Sequence, residues 1–406
     1  MSEVIQSTTR PGSNRLAGLD ALRAIAIIGM IYMHVSPTGW WQALPFADRL
    51  PVLAWFEGMI TGRAMSLFVL LAGVSAALMT GGNKPHDGAR LRSDRQRLAA
   101  RAAVLFLISL LIDQLAGANL SILEYYTVWL LLLIPVLRLR PGTLLGLAGV
   151  LAVLLPLLCF LIMNFFRDWP ISPFSGGGQA TVGLALLWHP LDWPLKLKAL
   201  LFGGGFQTPY ALPLLLTGLA LGRLDLRSGR LRTRLAVSGT CLVLGAWLVS
   251  GLALGPLGGA TALEAAMTAS GPMQQPWLSL LMLPPHQLYA LSIPMAPFML
   301  GVGLLLFCGL SALLERRLWQ RLLLPLTDSG RLALTWYASH LVFMERVAGE
   351  PPYAFVLFAG LMLFAFTFSP LWLARFRRGP LEWLLGMAAA KLLPRGVGAM
   401  LRARPD

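Results

Sequence analysis

Three side chains interrupt an otherwise lipid-soluble stretch, GLDALRAIAIIGMIYMHV, at residues 18–35: Asp20 and Arg23 near its start and His34 near its end. The eleven residues from Arg23 to His34 turn a helix through about 1100°, three turns plus about 20°, and rise about 16 Å. Both side chains therefore share one face. An ionisable group inside a membrane faces the bundle interior or a watery path, because lipid exposure costs about 3 kcal/mol or more. One helix face thus presents a cation at one mouth and, at the other, a base that titrates near neutral pH. A long ligand with a phosphorylated head and a reactive tip, such as an acyl-CoA, fits that geometry. The planar guanidinium of Arg23 suits phosphate, with Asp20 beside it. His34 could act as a general base on an acceptor hydroxyl or amine, or as a nucleophile that carries the acyl group. The plainer alternative is that Arg23 snorkels to lipid headgroups while His34 bonds a backbone carbonyl.

Further along the chain, Tyr337 and His340 are three residues apart and share a helix face, where His340 could complete a polar site with His34. Glu345 could orient a histidine or pair with Arg346. Arg63 opens the second apolar run from its outer side, where it could steady an anionic acceptor or simply anchor at the interface. His189 and His286 lie in outer segments and could shape an acceptor site, although a lone loop histidine is usually just exposed. Asp113 and Glu124 flank the third and fourth runs, where an interfacial position is expected. The five histidines are scattered, so no metal site is expected. Cys159, Cys241 and Cys308 all fall in apolar runs and read as buried free thiols.

The elements that must position these residues are membrane helices. The chain of 406 residues is 56% hydrophobic and only 13% charged, with a mean hydropathy of +0.68. Ordinary soluble domains carry about 25% charged residues. Apolar runs long enough to cross a hydrocarbon core recur near 18–37, 62–80, 100–116, 120–137, 142–165, 208–222, 235–256, 288–313, 331–348 and 353–374. The expected fold is an all-α polytopic bundle of about ten spans. Its net charge of +15 follows topology. With the N-terminus inside, 26 of the 33 Lys and Arg residues fall in cytoplasmic segments, which places both termini in the cytoplasm and removes the case for nucleic acid.

The expected layout is a cytoplasmic tail over 1–17, one membrane domain over 18–378, and an interfacial helix with its tail over 379–406. The opening MSEVIQSTTRPGSNR lacks the apolar core of a signal peptide. The outer segments 166–207 and 257–287, rich in Trp, Pro and Gly, are expected to fold over the outer mouth of the bundle. GTLLG at 142–146 and GLALG at 218–222 have the small-xxx-small spacing of close helix crossings.

The arrangement Arg23-x10-His34 preceded by LDAL resembles the opening helix of the transmembrane acyltransferases. These include the acyltransferase family three O-acetyltransferases and the heparan-alpha-glucosaminide N-acetyltransferase-like family. LFVLLAGVS at 67–75 resembles their second span. PLLLTGLALGRLDL, SGRLALTWYASH and RGPLEWLL are similar to the YeiB-like branch. The resemblance implies a bacterial inner-membrane acyltransferase. Its donor would be cytoplasmic acyl-CoA, acetyl-CoA in the first place, and its acceptor a glycan, lipid or small metabolite at the outer side. It places His34 at the catalytic histidine and Arg23 at the arginine of the family motif. The loop SPTGWWQALPFADR lacks the Asn and His expected there in heparan-type enzymes. Direct transfer with His34 as base is the preferred mechanism, and an acyl-imidazole is the alternative. A transporter or flippase for an amphipathic metabolite, or a helix-holding scaffold, are the competing functions. A homodimer remains open.

Overall fold

A computed structural model describes residues 16–35, 64–116, 121–165, 183–202, 208–269, 275–283, 292–347 and 351–393, with the backbone alone at 163–165, 266–269, 345–347 and 351–355. Among the described residues every regular element is helical. We number the helices α1 (Ala17–Val35), α2 (Ala64–Met79), α3 (Gly88–Ala116), α4 (Ile122–Leu133), α5 (Pro141–Phe165), α6 (Trp193–Phe202), α7 (Thr208–Leu221), α8 (Gly229–Leu254), α9 (Gly259–Ala269), α10 (Met295–Leu313), α11 (Arg317–Leu322), α12 (Leu324–Arg331), α13 (Ala333–Val347), α14 (Pro351–Arg375) and α15 (Pro380–Lys391). Each apolar run in the sequence overlaps one of these helices. Six described helices are long and apolar enough to cross a membrane, within α1, α3, α5, α8, α10 and α14, and three shorter apolar ones lie at 64–79, 122–136 and 208–221.

α1 is the central element. Two thirds of its apolar window (67%) is buried, against 22% for α5, α8 and α14, which separates an inner helix from a lipid-facing rim. The rim exposes large apolar side chains such as Val150, Leu248, Leu363 and Leu371. That is the pattern expected where the solvent is hydrocarbon. α1 packs against α2, α10, α12, α13 and α14. Its closest approach is to α12, where a Cβ on Gly330 would overlap the Asp20 carbonyl oxygen. The functional helix and the segment leading into α13 are therefore pressed together at the Asp20–Arg23 end.

Small residues fix the other tight crossings. α2 and α7 meet at Gly73 and Gly218, where an added Cβ would run into the backbone of Leu215 and Leu70 respectively. α8 and α10 meet at Gly239 and Gly301, each facing the other's carbonyl. GLALG is thus a true contact, whereas Gly142 and Gly146 of GTLLG face open space, which corrects the packing expected there. Gly218→Val should cost about 1–3 kcal/mol or more by forcing α2 and α7 apart. A fall in the melting midpoint in detergent, with Gly146→Val unchanged as the matched control, checks it.

Two further expectations are corrected. Cys241 is exposed on the outward face of α8, while Cys159 is buried and Cys308 is half-buried with its thiol donating to the Arg232 carbonyl (3.3 Å). Asp113 and Glu124 are not interfacial: both are buried, at 1% and 3% exposure. Glu124 pairs with the buried Lys196 of α6 at 2.5 Å, and Asp113 accepts from the Ser121 backbone N–H at 3.2 Å. A buried charge persists in such a place only when paired, so this cluster ties α6 to the ends of α3 and α4.

Candidate active site

His34 comes from the last turn of α1 and His340 from the middle of α13. The structure brings them together, with His34 Nδ1 2.8 Å from His340 Nε2 and the rings nearly parallel at 20°. The other nitrogen of His340, Nδ1, lies 3.1 Å from the Trp336 carbonyl oxygen. A carbonyl only accepts, so His340 Nδ1 carries a proton and donates it there. In neutral His340, Nε2 is then a lone pair and must accept, so His34 donates from Nδ1. The remaining nitrogen of neutral His34, Nε2, is left unprotonated. The relay from Trp336 through His340 thus leaves Nε2 as the nitrogen of His34 that can take a proton. His340 is buried at 1% exposure, while His34 is partly accessible. Tyr337 stands edge-on to His340, with ring centres 5.5 Å apart at 72°. Its hydroxyl accepts from the Ile122 N–H at 2.7 Å, which occupies one of the otherwise unpaired donors at the start of α4.

At the other end of α1, Arg23 donates to Asp20 (2.6 Å) and to the Ser75 hydroxyl of α2 (2.8 Å). Asp20 therefore holds the guanidinium in place, and Ser75 ties it to α2. Both α1 residues line a cavity of about 900 Å³. Six more arginines line the same cavity: Arg97, Arg101, Arg227, Arg331, Arg377 and Arg378, against the three acids Asp20, Asp225 and Glu382. Arg97 and Arg378 are each close enough to Arg101 to repel it. Such a gathering is stabilised by an anion that accepts from several guanidinium forks at once. Neither histidine lines the cavity, but Tyr337 does.

Glu382 links the C-terminal helix to the histidine helix. Its carboxylate accepts from the Leu334 N–H (2.7 Å), the Thr335 N–H (3.2 Å) and the Thr335 hydroxyl (2.6 Å). These are first-turn donors of α13, so a carboxylate from α15 caps the helix that carries His340. Burial raises its pKa above the ordinary carboxylate value, against the pull of those hydrogen bonds.

The other candidates separate. His189 is exposed between two short 3-10 turns. Arg63, His286 and the side chain of Glu345 lie outside the described residues. Among the described residues no group of three or more His, Cys, Asp or Glu side chains is placed to hold a metal. The cavity arginines escape a reading of the sequence alone because the positive-inside bias accounts for each of them. Arg97 and Arg101, four apart on one helix face, are the signal that was there to find.

Two family profiles match the chain. Residues 15–171 match heparan-alpha-glucosaminide N-acetyltransferase, catalytic. Residues 243–391 match the family described as Protein of unknown function (DUF418). No curated protein matches the chain. The first segment holds Arg23, Ser75, Arg97, Arg101 and His34, and the second holds Tyr337, His340, Arg378 and Glu382, so the histidine pair and the cavity wall are each built from both. The two matches support the resemblance of the chain to the heparan-alpha-glucosaminide N-acetyltransferase-like, YeiB-like membrane proteins.

Proposed function

We propose that this membrane protein is an acetyltransferase that takes its acyl group from cytoplasmic acyl-CoA and passes it to a hydroxyl or amine presented at the opposite face. The observation that carries this reading is the cavity: seven arginines around one end, apolar side chains at the other, and a wall at Tyr337 shared with the histidine pair. An amphipathic thioester with a phosphorylated head matches that gradient. The arginine-rich loops that adjoin the cavity mouth support a cytoplasmic orientation for it.

In the proposed reaction His34 Nε2 takes the proton of the acceptor O–H or N–H as that atom attacks the thioester carbonyl. The C–S bond breaks, the acyl group joins the acceptor, and the CoA sulfur leaves with the proton that His34 returns. While His34 is cationic its Nδ1–H still donates to His340 Nε2, which holds the ring and spreads the charge.

The test needs no acceptor. Acetyl-CoA at about 100 times its dissociation constant should stabilise the fold by about 2.7 kcal/mol. The melting midpoint of the purified protein should therefore rise with acetyl-CoA and CoA, less with ATP, and the rise should shrink in Arg23→Ala. A cooperative melt that no CoA species moves at millimolar concentration would favour a transporter instead.

A further inference from the structure

α13 follows directly on Leu332, whose side chain has no acceptor for the N–H groups left open in a helix's first turn. α15 supplies one. Glu382 Oε1 accepts from the Leu334 and Thr335 N–H groups, and Oε2 accepts from the Thr335 hydroxyl. In turn the Thr335 oxygen accepts from the Leu381 N–H at 3.2 Å, an open donor in the first turn of α15. Each helix thus caps the other, a capping box built between two helices instead of within one. Gly379 makes room for it, since a Cβ there would land on Glu382 Oε2. This clasp stands between two parts of the site. Leu334, Glu382 and the neighbouring Arg378 line the arginine cavity. Next along α13 is Trp336, whose carbonyl accepts from His340 Nδ1 and whose indole N–H donates to the Ser369 hydroxyl of α14 at 2.9 Å. His340 lies five residues beyond Thr335, about 7.5 Å along the axis. The clasp therefore fixes where α13 begins, and with it the height at which His340 meets His34. On the cavity side, among seven arginines, the carboxylate of Glu382 can only oppose an anionic ligand. On the α13 side it closes the helix.

Taking the cavity as the acyl-donor site, we propose that Glu382 is a positioning residue for transfer: through its clasp with Thr335 it sets α13 so that His340 holds His34. It touches neither histidine and acts through the helix that carries one of them. Its negative charge weakens donor binding while its hydrogen bonds serve the transfer step, so the two effects of removing it run in opposite directions.

The experiment measures, on the full-length protein in detergent, acyl transfer to a small alcohol or amine and the rise in melting midpoint with acetyl-CoA. Glu382→Ala should lower kcat by about 10- to 100-fold, the penalty expected when a reacting group is displaced by about 1 Å. Its acetyl-CoA shift should equal or exceed that of wild type. Glu382→Gln, whose side-chain carbonyl can still accept from the α13 N–H groups, should recover most of the rate. Gly379→Ala keeps the charge and pushes the carboxylate aside, so its kcat should fall as well. In a His340→Ala background, Glu382→Ala should lower the rate no further, because the clasp acts through that ring. An unchanged kcat in Glu382→Ala would overturn the proposal, as would a further loss in the His340→Ala background. So would an acetyl-CoA shift that shrinks in step with the rate, since a clasp that only holds the cavity together moves both. Gly379→Ala, which removes no buried group, decides the matter if Glu382→Ala does not melt cooperatively. A wild type that responds to no CoA species and transfers nothing overturns the donor reading itself, a result distinct from an active enzyme whose rate ignores the clasp.

Discussion

Replacing His34 with alanine is expected to lower acyl transfer by about 10²- to 10⁴-fold, the usual yield of a positioned general base, while acetyl-CoA continues to stabilise the protein. The two readouts separate because His34 does not line the cavity. Its removal takes away the proton acceptor and leaves the arginines and the apolar end in place. Free thiol released from acetyl-CoA, with a small alcohol or amine as acceptor, reports the rate, and the melting midpoint reports binding. A His34→Ala protein that turns over acetyl-CoA at the wild-type rate would remove His34 from the chemistry. A protein that loses the acetyl-CoA shift as well would mean that the histidine pair holds the cavity together.

The partner of His34 sharpens this expectation. His340 is fixed by the Trp336 carbonyl, and its Nε2 can only accept from His34 while it stays neutral. A second buried proton on the pair would place two cations within hydrogen-bonding distance of each other, so the pair functions with at most one. The rate should therefore fall on acidification as His34 Nε2 fills and the base is lost.

How much of this was legible in the sequence depends on the distance over which each feature is written. The face shared by Arg23 and His34 follows from helix geometry over eleven residues, and α1 runs unbroken through both. The small-residue spacing is equally local, yet it marks a contact at Gly218 and open space at Gly146. Spacing describes a helix surface, and only the neighbour decides whether that surface is used. The pairing of His34 with His340 joins residues 306 apart in the chain. The shared face of Tyr337 and His340 pointed to it without fixing it. The cavity arginines were hidden by a correct explanation of another kind, since topology bias accounts for cationic loops whether or not they also bind a ligand. The buried Glu124–Lys196 pair was misjudged because flanking a span says nothing of what folds back over it, and here α6 does.

Arg223→Ala should be the most damaging single change to stability outside the α1 contacts, at about 3–5 kcal/mol, the cost of breaking a buried charged network. Arg223 follows α7, is 4% exposed, and lies at the end of the bundle where α2 and α4 both terminate. One terminal nitrogen of its guanidinium donates to the carbonyls of Ala77 (3.2 Å), Thr80 (3.0 Å) and Gly82 (3.1 Å). The other donates to the Thr80 hydroxyl (2.8 Å) and the Leu137 carbonyl (2.9 Å). Carbonyls at a helix C-terminus have no partner within the helix, and the macrodipole there favours a cation. A single planar fork thus closes the ends of two helices against each other. Alanine would remove a buried donor from five acceptors at once. Lysine supplies the charge at one point and cannot span both helix ends, so Arg223→Lys should recover less than half of the loss. The consequence reaches the site, because Gly82 and residues 224–227 line the mouth of the arginine cavity. A lower melting midpoint in Arg223→Ala should therefore come with a smaller acetyl-CoA shift, and an unchanged midpoint would show that the two helix ends are held by other means.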